Sequence, residues 1–182
     1  METPILKTDY INEIRTRRIA SIGLLIGGIF GMAGSFVPSA SLRGLAWGID
    51  GVGLIIATTL LTVYYFRKGY DMIAAGFLVF AIGEALILSC SSADLQKNIS
   101  SFGAGTSLWA AALTLISVQK MFPVLVRCLG LIAAALFALV SVLIFTGHQI
   151  NPLTEPLPFY AYPFFAATIF GWALVLFKTG TT

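Results

Sequence analysis

The sequence predicts an all-α bundle of six transmembrane helices, and three observations carry that prediction. Hydrophobic residues make up 58% of the chain and charged residues only 10%, with a mean hydropathy of +0.92. A soluble domain carries roughly 25% charged residues. Here 11 Lys and Arg with 8 Asp and Glu cannot coat a water-facing surface for 182 residues. The apolar residues also fall into six stretches near the ~20 residues that cross a bilayer core. Finally, the basic residues alternate between the ends of those stretches as six spans require.

The first span begins after Arg18, in a charge-free run from Ile19 to Leu42, and ends near Pro38. Residues 1–18 read as a cytoplasmic N-terminal segment. Leu6, Tyr10, Ile11 and Ile14 can share one helical face, and Thr8 or Asp9 can cap it. A short helix on the membrane surface, held by Arg15, Arg17 and Arg18, is expected. No small-residue cleavage site in a polar context follows, so the first span should stay in the mature protein. The second span runs from about Leu45 to Phe66 and is interrupted by Asp50. The third, about Met72 to Cys90, is interrupted by Glu84. The fourth covers about Ser101 to Gln119, with a start diluted by Gly103, Gly105, Thr106 and Ser107. The fifth covers about Val124 to Phe145, with Arg127 near its start. The sixth covers about Leu157 to Phe177, and Pro163 inside it should bend the helix. Residues 19–178 thus form the transmembrane domain and 179–182 a tail. Short links make neighbouring helices antiparallel hairpins.

Orientation follows from the basic residues. Lys7, Arg15, Arg17, Arg18, Arg67, Lys68, Lys120, Arg127 and Lys178 fall on one side, nine in all, against Arg43 and Lys97 on the other. The positive-inside bias therefore puts both termini in the cytoplasm. Compactness and the lack of sorting signals point to a bacterial inner membrane. Trp47, Tyr64, Tyr65, Tyr160 and Tyr162 sit at span ends, where amphipathic rings anchor at headgroup level. The basic residues read as membrane-side anchors, and no basic patch interleaved with aromatics suggests nucleic acid.

Gly23, Gly27 and Gly31 repeat at four, with Gly34 near the same face, a spacing that lets helix backbones approach closely. Packing within the chain is the plain reading; a homodimer through this Gly-rich first span is the alternative. Gly44 and Gly48 repeat similarly in the second span. A weak internal similarity links Ile82–Leu88 with Phe170–Leu176, and Gly53-Leu54-Ile55 with Gly130-Leu131-Ile132. It would make the chain two inverted three-helix units. Cys90 and Cys128 fall near opposite membrane faces, too far apart for a disulfide.

Asp50 and Glu84 carry the functional weight. A carboxylate within a span costs about 2.5–3.5 kcal/mol on the insertion scale, so it faces protein or water. Both should lie roughly 7–9 Å below the same membrane surface, at 1.5 Å per residue, on helices joined by Arg67-Lys68-Gly69-Tyr70. Three readings compete. The acids line a water-filled pocket open to the outside and bind a cation or polar substrate. They are structural, hydrogen-bonded to other helices. Or they are catalytic. Trp47, Trp109, His148, Tyr160 and Tyr162 fall toward the same side and complete the candidate ligand-binding set. Asp50, Glu84 and His148 have ligand types that suit a metal, but no HExxH, His cluster or repeated Cys spacing supports one. One histidine also excludes bis-histidine haem ligation, and no cofactor is expected. Arg127 should snorkel to headgroups. The loop from Gly147 to Pro156 has the length and two prolines of a lid. The chain has no GxSxG elbow, P-loop or dinucleotide fingerprint.

The expectation is therefore a small integral membrane protein that binds or transports a small molecule or ion through an outward-facing acidic cavity. The alternatives are a membrane-embedded enzyme acting on a lipid or other apolar substrate, and a structural or accessory subunit without a pocket.

Overall fold

The computed structural model describes residues 4–91, 98–148, 150 and 156–178. These form six helices and no strand: α1 (Pro4–Phe36), α2 (Ala40–Arg67), α3 (Asp71–Ser91), α4 (Ile99–Ser117), α5 (Val124–Phe145) and α6 (Pro156–Lys178). All six are long and apolar enough to cross a membrane, which is the build of a multi-pass membrane protein. Most of the expected lid loop, Lys97, the tail at 179–182 and the side chains of 1–10 lie outside the described residues.

Each helix packs on its neighbours in sequence, and α1 closes against α6. Among the described residues no other helix pair comes into backbone contact, so the bundle is a ring of six. The links favour this order: the α1–α2 and α2–α3 links are turns of three residues each and leave a helix nowhere to go but alongside its predecessor, and the α4–α5 link is only six. Gly69 makes one such turn at φ 75°, a left-handed conformation that a side chain would strain. Large apolar residues such as Ile22, Ile29, Val52 and Ile56 face outward and exposed, as a lipid-facing surface requires.

A ring leaves a central space, and aromatic side chains fill much of it. Tyr65 stacks on Phe77 at 5.6 Å, and Phe77 meets Trp172 edge-on at 5.2 Å. Phe80 touches Trp172 at 6.0 Å and stacks on Phe165 at 5.5 Å. Trp109 continues the column at 4.7 Å from Phe165 and 5.1 Å from Phe137. Offset and edge-on pairs of this kind contribute about 0.5–1.5 kcal/mol each beyond area burial. The column thus joins α3 to α6 across the ring, where no backbones meet.

Several boundaries differ from the sequence expectation for physical reasons. Residues 4–18 are helical, but they continue α1 instead of forming a separate surface helix. No Gly or Pro stands between Ile5 and Ile22 to break it. Arg17 turns inward as a result, buried with its guanidinium 5.9 Å from the Tyr64 ring, and Glu13 pairs with Lys68 at 2.7 Å. Helix α2 begins at Ala40, about a turn before the expected Leu45, because Ser39 caps it by accepting from the Leu42 amide at 3.5 Å. Arg127 does not simply snorkel. Its Nε donates to the Ser117 carbonyl at 2.8 Å and Nη2 to that of Val118 at 3.2 Å, placing a cation at the negative end of α4.

The glycine stripe of α1 is taken up by α2. A Cβ at Gly23 would lie 2.9 Å from the Gly53 carbonyl oxygen, and one at Gly34 would lie 2.6 Å from the Trp47 ring. A homodimer through this stripe would have to displace α2. A Cβ at Gly44 or Gly48 would meet nothing within 4 Å among the described residues. The residues behind the two-unit reading are unequal: Gly53 and Gly130 face α1 and α4 in corresponding fashion, whereas Gly83 faces α4 and Gly171 faces α5.

Candidate functional site

The aromatic column stops short of one end of the ring, the end carrying the α1–α2, α3–α4 and α5–α6 links. There a cavity of about 80 Å³ remains between α1, α2, α3, α4 and α6. A buried water needs roughly 10–15 Å³ on the same measure, so the space suits about six waters or a molecule of similar size.

Each wall has a local cause. On α2, Asp50 lies ten residues past the helix start at Ala40, about 15 Å along the axis. Trp47 precedes it by three residues and so shares its face. On α3, Glu84 lies seven residues before the helix end at Ser91, about 10 Å along. The two helices form one hairpin, so the two acids reach the same cavity. Trp109 comes from α4, and Tyr162, Phe165 and Ile169 come from α6 at the spacing of one helical face.

The α1 wall is made by what is missing. Gly27, Gly28 and Gly31 line the cavity without side chains. A Cβ at Gly31 would sit 2.7 Å from Asp50 Oδ2, and one at Gly27 would sit 3.2 Å from Asp50 Oδ1. The carboxylate therefore lies directly against glycine backbone. The sequence shows the stripe but not this use of it, since spacing alone cannot say which residue fills the groove. Ser35 and Met32 add to the rim and were also not legible as site residues. The Ser35 hydroxyl donates to the Gly31 carbonyl at 3.2 Å and stays at the cavity edge.

Burial grades the site from mouth to floor. Asp50, Trp47, Ser35 and Tyr162 are half-buried, whereas Glu84 is 2% and Trp109 3% exposed. Glu84 Oε2 and Trp109 Nε1 are fully enclosed and neither has a hydrogen-bond partner. The indole N–H stands beside the Glu84 carboxyl without meeting it in bonding geometry. Asp50, Glu84 and Tyr162 lie within electrostatic reach of one another. An enclosed polar atom without a partner costs about 1–3 kcal/mol, and more when charged. Two such atoms face this one cavity; the other two among the described residues, Arg17 Nε and Ser117 Oγ, lie toward the opposite end of the ring.

Of the seven candidate residues, Asp50, Glu84, Trp47, Trp109 and Tyr162 line this one cavity. The other two stand apart. His148 is exposed after α5, with Nδ1 3.2 Å from the Thr146 hydroxyl, and Tyr160 is 61% exposed. Tyr160 precedes Tyr162 by two residues, which turns it to another side of α6. Among the described residues no three His, Cys, Asp or Glu side chains gather as a metal site would require. Cys90 is buried and Cys128 exposed, both as free thiols. Thr58 and Thr62 bond to their own helix at Leu54 and Thr58, and Thr106 meets Ser141 at 2.8 Å away from the cavity lining.

Fold and cavity together define a class, a six-helix multi-pass membrane protein with an acidic, aromatic-walled cavity toward one end. No protein family model, no curated protein and no solved structure matches the chain.

Proposed function

We propose that the chain binds or transports a small molecule or ion through this acidic cavity, and that the cavity opens outward from a bacterial inner membrane. The observation that carries the reading is the enclosed, unpaired Glu84 Oε2 facing a cavity that Asp50 also lines. A purely structural acid would be expected to have its lone pairs satisfied by neighbouring helices. The orientation rests on the basic residues. Arg67, Lys68, Lys120, Arg127 and Lys178 all belong to the opposite end of the ring, which the positive-inside rule makes cytoplasmic. The aromatic column beneath the cavity supports access from one side only.

The test is a pair of near-isosteric changes, Asp50→Asn and Glu84→Gln, read for folding and for ligand uptake or binding in membranes. Folding should survive in both, and uptake or binding should fall at least about tenfold, the weight of one lost charge-assisted contact. Unchanged function alongside lost stability would assign the acids to the scaffold instead.

A further inference from the structure

Resting on that reading, the geometry points to the class of ligand: we infer that the cavity takes a small organic ammonium ion carrying at least one N–H. The first argument is charge. Among the described residues the only ion pair is Lys68–Glu13, at the far end of the ring. Among the described residues neither Asp50 nor Glu84 has a cation beside it. The described cation at this end of the ring, Arg43, is turned onto the Trp47 ring at 5.8 Å and pairs with no described acid. Carboxyl groups in a low-dielectric cavity either hold a proton or take a countercharge, and a cationic ligand that displaces the proton supplies that countercharge.

The second argument separates an organic cation from an inorganic one. A divalent ion such as Mg²⁺ or Ca²⁺ takes six to eight oxygens in a shell. Beyond the two acids, this cavity offers side-chain oxygen only from Ser35 and Tyr162. The rest of its wall is apolar or aromatic, with Trp47, Trp109, Phe102 and Phe165 among it. Aromatic faces attract an ammonium ion and accept its carbon substituents, which a hydrated metal ion would not supply. The third argument is the enclosed Glu84 Oε2. It is a lone-pair acceptor without a donor, so the ligand should bring an N–H, which a quaternary ammonium lacks. The volume of about 80 Å³ admits a molecule of only a few heavy atoms.

The full chain in detergent micelles or nanodiscs tests this with ethylammonium, tetramethylammonium, sodium and magnesium chlorides at matched ionic strength. A ligand of the folded state raises the melting temperature in a concentration-dependent way that yields an apparent affinity. Ethylammonium should give a saturable rise, tetramethylammonium should bind at least about tenfold more weakly, and the inorganic cations should give none. Glu84→Gln should weaken ethylammonium at least about tenfold. Asp50→Asn supplies the same comparison should that variant fail to fold. Gly31→Ala, which crowds Asp50 without removing charge, should weaken it too. A saturable rise with sodium or magnesium alone, lost in Glu84→Gln, would overturn the ammonium assignment and leave the acidic binding cavity standing. Equal binding of tetramethylammonium would overturn the N–H requirement. No rise with any cation, together with reduced stability in both carboxamide variants, would remove the binding cavity itself.

Discussion

The two halves of the ring's interior solve the same packing problem differently. Toward the end that carries the α2–α3 and α4–α5 links, Tyr65, Phe77, Trp172 and Phe122 close the centre with ring on ring. Toward the other end the centre holds glycine backbone, two acids and a void. Both halves have the same six helices and the same antiparallel neighbours, so topology does not explain the difference. Side-chain size does. Where α3 and α6 present Phe77 and Trp172, the space is filled; where α1 presents Gly27 and Gly31, it is not. The filled half anchors the fold, and the open half spends some of that stability on a cavity lined by unpaired polar atoms.

That comparison breaks first at Trp172. The ring is 1% exposed and touches Phe77, Phe80 and Phe122. Trp172→Ala leaves a void that the surrounding helices can only partly close, and should cost about 3–5 kcal/mol in reversible unfolding from mixed micelles. Glu84→Gln should change stability by no more than about 1 kcal/mol on the same assay, since the enclosed oxygen has no hydrogen bond to lose. If the two variants proved equally destabilising, the halves would share the structural load and the contrast would vanish.

A smaller effect separates two glycine pairs that look alike in sequence. Gly27 and Gly31 on α1, and Gly44 and Gly48 on α2, both repeat at four. Gly31→Ala forces the Asp50 carboxylate to move and should cost about 1–3 kcal/mol, as overpacking does. Gly48→Ala meets nothing within 4 Å and should be neutral or stabilising by up to about 1 kcal/mol. Unfolding of the two variants side by side decides whether the stripe on α1 is the one that matters.

The same pair shows what was legible in the sequence. Six apolar runs and their lengths need only hydropathy, and apart from the start of α1 the helices follow them to within five residues, because a bilayer leaves the backbone little other choice. That Asp50 and Glu84 could face one space was legible too, because a hairpin with a three-residue turn holds the two helices side by side. Rotation about each helix axis was not. Spacing says that Gly44 and Gly48 share a face, but only the neighbouring helices decide whether that face meets protein. For the same reason Phe165 and Ile169, one turn apart on α6, gave no sign that they floor a cavity, and Tyr160 and Tyr162 read alike although they point to different sides. The continuation of α1 through Arg18 was obscured by polarity, which marks where the apolar span starts and says nothing about where the helix does.

The smallest effect tests whether the filled half needs help from outside the bilayer. Glu13 on the extension of α1 meets Lys68 in the α2–α3 turn at 2.7 Å, with both side chains more than a third exposed. The hydrogen bond to Glu13 raises the Lys68 ammonium above its ordinary lysine value. A raised pKa in the folded state means that the contribution is complete below about pH 10.4, the unfolded value. It is lost as pH climbs through the folded value, where the ammonium gives up its proton. Screening by solvent keeps the contribution to about 0.5 kcal/mol, so a double-mutant cycle of Glu13→Gln and Lys68→Met should return a coupling of that size at low salt and less at high salt. A coupling several times larger would mean that the pair pins α1 to the turn, and that the ring is closed as much by its polar end as by the aromatic column within.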